Sequence, residues 1–152
     1  MPDHADPRLI AAGEQFTQTL RYSREDIALI ARLSGDTNPL HVDAAFAGRA
    51  RFGQVIASGQ HTAAILMGML ATHFSRADDG VPRQMLCLNM NFSFKSPVFA
   101  EQPIVLVWRV ATVTPNRKLN GLVGHLDGHA TLLEGHPAVI ARGTILVSAG
   151  AP

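Results

Sequence analysis

Apolar and polar residues alternate over residues 14–22. Phe16, Leu20 and Tyr22 fall on one face, interrupted by Gln18, and Gln15, Thr17, Thr19 and Arg21 on the other. That two-residue period predicts a strand with one buried side. The period then changes: Ile27, Ile30, Ala31 and Ser34 recur at helical spacing, with Leu29 and Leu33 widening the stripe. Ser23 stands where an N-cap belongs, Asp26 completes a Ser-x-x-Asp capping box, and Gly35 is placed to stop the helix in a left-handed conformation. Asn38-Pro39 forces an extended or turn geometry, because the residue before proline avoids the helical region. Asp43 can cap a second short helix through Ala44, Ala45, Phe46 and Ala47, followed by a loop over residues 48–55. Residues 59–74 are apolar nearly all round (Ala63, Ala64, Ile65, Leu66, Met67, Met69, Leu70), which predicts a helix buried in the middle of a domain. Met67 and Met69 are read as core.

From Gln84 onward the pattern is that of strands. Residues 85–95 alternate, with Leu86, Leu88, Met90, Phe92 and Phe94 on one face and Cys87, Asn89, Asn91 and Ser93 on the other. Residues 103–114 predict a second strand, the Gly-rich stretch 119–133 a third and irregular one, and residues 138–148 a fourth. Pro115-Asn116 and residues 134–137 read as turns. One strand, then helices of which one is buried, then four consecutive strands predict an α+β fold: an antiparallel sheet wrapped around a central buried helix. The 152 residues fit one domain. Residues 1–8 read as a flexible tail and 9–152 as that domain.

Composition narrows the partners. Thirteen Lys and Arg against 12 Asp and Glu leave a formal charge of +1, without the basic excess that nucleic acid demands. No run of like charge suggests a membrane patch, and the most apolar stretch, residues 62–70, is too short to span a bilayer. The first eight residues lack the basic start and apolar run of a signal peptide. Cys87 is the only cysteine, so neither an internal disulfide nor a Cys-rich metal site is expected. Together these point to the cytoplasm. His125, Asp127 and His129 would share a strand face, but Gly124, Gly128 and Gly135 predict a flexible exposed hairpin, and no metal site is expected there.

The segment most able to carry chemistry is Ser34-Gly35-Asp36-Thr37-Asn38-Pro39-Leu40-His41-Val42-Asp43. Alone, an Asp and a His five apart are most often a turn former and a loop residue. Here the helix stop at Gly35 and the turn through Asn38-Pro39 can fold Asp36 and His41 toward one point. A carboxylate and an imidazole so placed can hold a water between them, and imidazole moves protons near neutral pH. Asn38 is read as a support of the loop and Asp43 as the cap of the next helix. Gly59 opens the apolar helix, where free N–H groups and the helix dipole favour a developing negative charge. Its N–H is a candidate oxyanion donor, with Ser58 beside it as helix cap and substrate-binding candidate.

The segment resembles the Ser-Gly-Asp-x-Asn-Pro-hydrophobic-His-x-Asp motif of the MaoC-like dehydratase and R-specific enoyl-CoA hydratase family, in which a short Ala/Phe helix follows. Phe92-Ser93-Phe94-Lys95-Ser96-Pro97-Val98 is similar to that family's Phe-Lys-x-Pro-Val strand end. Ser58-Gly59 stands where the family usually has His-Gly. The resemblance implies a hot-dog fold and a catalytic dyad of Asp36 and His41, with Asp36 returning a proton to the α-carbon. The implied reaction adds water to an α,β-unsaturated acyl thioester or removes it from a 3-hydroxyacyl one. No cofactor is implied beyond the CoA or phosphopantetheine arm of the substrate, and a homodimer or larger homo-oligomer is. Two departures touch substrate identity: Ser58 replaces the usual histidine, and Met67 stands where some hydratases carry a serine. Arg49, Arg51, Lys95, Arg117 and Lys118 are candidates for phosphate contacts. The rival readings are an acyl-thioester hydrolase and a non-catalytic acyl-thioester-binding subunit on the same fold. A hydrolase calls for a carboxylate on the central helix, and residues 59–74 contain no Asp or Glu.

Overall fold

The computed structural model describes residues 6–150. In chain order the elements are β1 (Gln15–Leu20), α1 (Arg24–Ser34), a single 3-10 turn (Pro39–His41), α2 (Ala44–Arg49) and α3 (Gly59–His73). Then come β2 (Arg83–Phe94), β3 (Ile104–Asn116), β4 (Gly121–Leu132) and β5 (Pro137–Ala149). All five strands form one antiparallel sheet in the order β1-β3-β4-β5-β2. The expected α+β plan, a sheet around a helix, is the plan observed.

Leu66 and Leu70 of α3 are fully buried, as are Ile104, Leu106, Trp108 and Val110 of β3 and Ile145 and Val147 of β5; all belong to one core. Inside it the Trp108 indole N–H donates to the Leu66 carbonyl at 2.8 Å, so the largest core side chain also ties the helix to the sheet. That bond satisfies a polar group whose burial would otherwise be costly.

Four local expectations need correction. The Gly-rich stretch is no flexible hairpin but β4, the middle strand of the sheet. Its glycines make room: a Cβ on Gly128 would lie 2.5 Å from the Trp108 ring and one on Gly124 2.6 Å from Ile10. His125, Asp127 and His129 do share the exposed face of that strand. Among the described residues no three His, Cys, Asp or Glu side chains group as metal ligands would.

Second, α3 is not buried all round. His61, Thr62, Ala63, Leu66, Met69 and Leu70 are covered, whereas Ala64, Met67 and Gly68 lie open, Met67 at 38% exposure. One curved sheet can cover only one side of a helix. Third, a bulge between Cys87 and Asn89 breaks the alternation of β2. An extra residue in one strand flips every side chain beyond it to the other face. Met85, Met90 and Phe92 therefore pack on the core while Leu86 and Leu88 are exposed. Fourth, Pro115-Asn116 continues β3 instead of turning. Pairing with β1 extends only to Arg109, so Pro115 sits where β3 has an open side and its missing N–H is tolerated. The turn itself follows, with Asn120 at φ 49° and the Leu119 N–H donating to Asn116 Oδ1.

Of the tail expected over residues 1–8, residues 1–5 lie outside the described residues. Arg83, itself buried, donates to the carbonyls of Arg8 and Leu9 and to Asp79, and Leu9 and Ile10 enter the core.

Candidate active site

The site is assembled by four caps. Ser23 and Asp26 form the reciprocal capping box that starts α1. At its other end Gly35 takes a left-handed φ of 72°, and its N–H and that of Asp36 turn back to the last carbonyls of the helix. Asp36 thus projects from a fixed stop. Its Oδ1 accepts the Asn38 N–H at 2.9 Å, and Asn38 Oδ1 accepts the Leu40 N–H at 3.1 Å, which starts the turn Pro39–His41. Asp43 then caps α2 through the Phe46 N–H. Asn38 and Asp43 each cap the turn or helix that follows them.

This compact bend brings His41 Nε2 to 3.5 Å from Asp36 Oδ2. The His41 ring is buried, and its Nδ1 lies 2.7 Å from the Ile56 carbonyl. A carbonyl only accepts, so Nδ1 carries hydrogen, and in the neutral tautomer the lone pair of Nε2 faces Asp36. Asp36 is the more open partner, with 22% of its side chain exposed against 8% for His41. The pair is accessible from one side and rigid from the other.

Asp36 and His41 share the wall of a cavity of about 500 Å³ with Ser58, Gly59, Gln60 and Thr62 from the start of α3. Phe94, Lys95, Ser96, Pro97 and Val98 line it as well. Gly59 is the first residue of α3, so its N–H has no carbonyl within the helix to bind. A Cβ there would meet the Phe94 ring at 2.7 Å, so only glycine lets ring and helix end approach this closely. Ser58 is buried on the cavity wall and occupies the N-cap position, but its side chain makes no cap hydrogen bond. Its expected capping role is therefore not performed.

Lys95 is the candidate phosphate contact that lines this cavity. Arg51 lies 5.6 Å from the ring centre of Phe52, another lining residue, while Arg117 lines a separate groove with Pro115 and Asn120. His61 does not line this cavity. It is buried and stacked on Tyr22 with ring centres 3.8 Å apart, and its Nδ1 has no hydrogen-bond partner. Burial holds its pKa below the ordinary histidine value. The closeness of Phe94 to Gly59 and the place of Phe52 were not foreseen, since each depends on contacts distant in sequence.

The arrangement provides two hydrogen-bond acceptors converging from one side, a helix N-terminus nearby and a mostly apolar recess. The model of the family described as MaoC like domain matches residues 7–124. An (R)-specific enoyl-CoA hydratase of Aeromonas caviae is 26% identical over 132 residues, covering 86% of this chain and 94% of that protein. A 3-hydroxybutyryl-CoA dehydratase of Methylorubrum extorquens is 28% identical over 96 residues, but the match spans only 57% of its length. Among solved structures, an R-hydratase from Pseudomonas aeruginosa superposes with a TM-score of 0.79 at 23% identity, over 93% of this chain and 84% of that one.

Proposed function

Because the chain belongs to the MaoC-like family, we propose that Asp36 and His41 are the acid–base pair of a hot-dog hydro-lyase acting on acyl thioesters. The observation that carries the assignment is the 3.5 Å approach of Asp36 Oδ2 to His41 Nε2 at the wall of a cavity that also holds the N-terminus of α3. In the hydration direction a water donates one hydrogen bond to each group. Its oxygen bonds to the β-carbon as one of its protons passes to Asp36. The electrons of the carbon–carbon double bond move to the thioester, whose oxygen becomes enolate-like and faces the Gly59 N–H. The enolate collapses as Asp36 delivers that proton to the α-carbon. Dehydration is the same path reversed.

Ser58 and Gly59 form the substrate-binding edge of this proposal, and Lys95 is the cation placed to meet the phosphates of CoA or of a carrier-borne phosphopantetheine. The reaction consumes only water, so no separate cofactor or metal enters. We place it in the cytoplasm, consistent with the single unpaired thiol of Cys87. Among the described residues no helix is long and apolar enough to cross a membrane.

A homodimer is the proposed assembly. It is supported by the edge position of β2 and by the exposed Leu86, Leu88 and Phe94 on it. The hydrolase reading is less favoured, because α3 offers no carboxylate to act as base or nucleophile.

The test is a spectrophotometric hydration assay over a panel of enoyl-CoAs, branched and dicarboxylic ones included. Asp36→Asn and His41→Ala should each lose at least about 100-fold in kcat with an unchanged circular dichroism spectrum. Wild-type rates in either variant would remove the dyad from the mechanism.

A further inference from the structure

Gln60 is the second residue of α3 and reaches back across the site to the end of α1. Its Nε2 lies 2.9 Å from Ser34 Oγ and 3.2 Å from Asp36 Oδ2. The Asp36 carboxylate only accepts, and the Ser34 hydroxyl spends its own hydrogen on the Ile30 carbonyl at 2.8 Å. Both neighbours are therefore acceptors, which fixes the amide nitrogen of Gln60 as the atom facing them and uses both of its hydrogens. The residue also lines the cavity.

We infer that Gln60 is a positioning residue that sets the rotation of the Asp36 carboxylate; this rests on the Asp36–His41 reading above. The Asn38 N–H holds Oδ1 and the Gln60 amide takes one lone pair of Oδ2. What remains free on Oδ2 is a lone pair directed toward His41 Nε2, where a shared water belongs. Without the amide the carboxylate keeps only its Oδ1 tether and can swing about its terminal torsion, a soft two-fold one. Gln60 also joins the stop of α1 to the start of α3, so the acceptor pair and the helix end are held in one frame. The chemistry needs that frame, because a misplacement near 1 Å is expensive in rate.

Gln60→Met keeps the length and removes the donors. With crotonyl-CoA it should lower kcat about tenfold, leave KM within about twofold and leave Tm unchanged. Ser34→Ala, which frees one end of the tether, should lower kcat less, and the double variant should fall no further than Gln60→Met alone. A Gln60→Met kcat within twofold of wild type, or a loss confined to KM, would overturn the positioning role while leaving the dyad intact. The dyad itself fails only if Asp36→Asn or His41→Ala retains activity.

The tether can also be read without turnover. The side-chain amide signals of Gln60 in a nitrogen-15 spectrum of the full chain should shift on Asp36→Ala and again on Ser34→Ala. Unmoved signals in both variants would overturn the inference whatever the substrate proves to be.

Discussion

Both oxygens of the Asp36 carboxylate have a hydrogen-bond donor before any substrate arrives, and His41 Nδ1 is committed to a backbone carbonyl. The cost of orienting these groups is met during folding, which suits the acid–base role proposed for them. At the same scale, Gly59 is a place where one methyl group matters. Its absent Cβ would sit 2.7 Å from the Phe94 ring. Gly59→Ala must push that ring or the helix end aside, and kcat/KM for enoyl-CoA should fall by about tenfold or more, with Tm changed far less. An alanine variant that turns over at the wild-type rate would show that the close approach of the Phe94 ring to this helix end is not needed for turnover.

At the scale of elements, β4 is where substitutions should harm the fold without touching the dyad. Gly128 lies directly beneath Trp108, and an added Cβ would come within 2.5 Å of the indole. Gly128→Ala should destabilise the chain by about 1–3 kcal/mol through overpacking, seen as a lower midpoint in urea with an unchanged slope. Element types were legible because their cues are local. Ser23, Asp26 and Gly35 bound α1, Asn38 and Asp43 start the next two turns, and the structure uses each of them so. The misreadings arose where a local cue answers to a distant partner. The glycines of β4 suggested looseness, but they are spaces reserved for Trp108 and Ile10. The bulge in β2 is set by its pairing with β5, and a strict alternation carried Leu86 and Leu88 to the wrong face. The approach of Asp36 to His41 could be anticipated because one contiguous segment builds it. Residues 94–98, which also line the cavity, are brought there by the end of β2 and the chain just after it, and Gln60 by the start of α3.

For the molecule as a whole, two histidines on α3 link stability to pH. Burial lowers the pKa of His61, and burial together with Arg76 lowers that of His73 although Glu14 opposes it. In the unfolded chain each histidine takes up its proton near pH 6.5. In the folded chain each does so only at lower pH. Over that interval the unfolded state binds more protons, so stability is complete above about pH 6.5 and declines as pH falls below it. Thermal melting in matched buffers should show Tm dropping from pH 7.5 to 5.5. His61→Phe, which keeps a ring against Tyr22 but cannot be protonated, should make that slope shallower. Assembly is tested separately: light scattering should return about twice the 16.3 kDa chain mass. Replacing Leu86 and Leu88 with lysine should return the single-chain mass.

The lone tryptophan of the chain has a consequence of another kind. Trp108 sits with no exposure at all, its indole N–H bonded to the α3 backbone one turn before Leu70. The protein therefore carries its own optical probe at the junction of helix and sheet. Emission from a dry indole lies toward the blue, and any separation of the two layers would admit solvent and move it toward the red. Unfolding, and any loosening of the layer that positions Gly59, can be followed by fluorescence with no label attached.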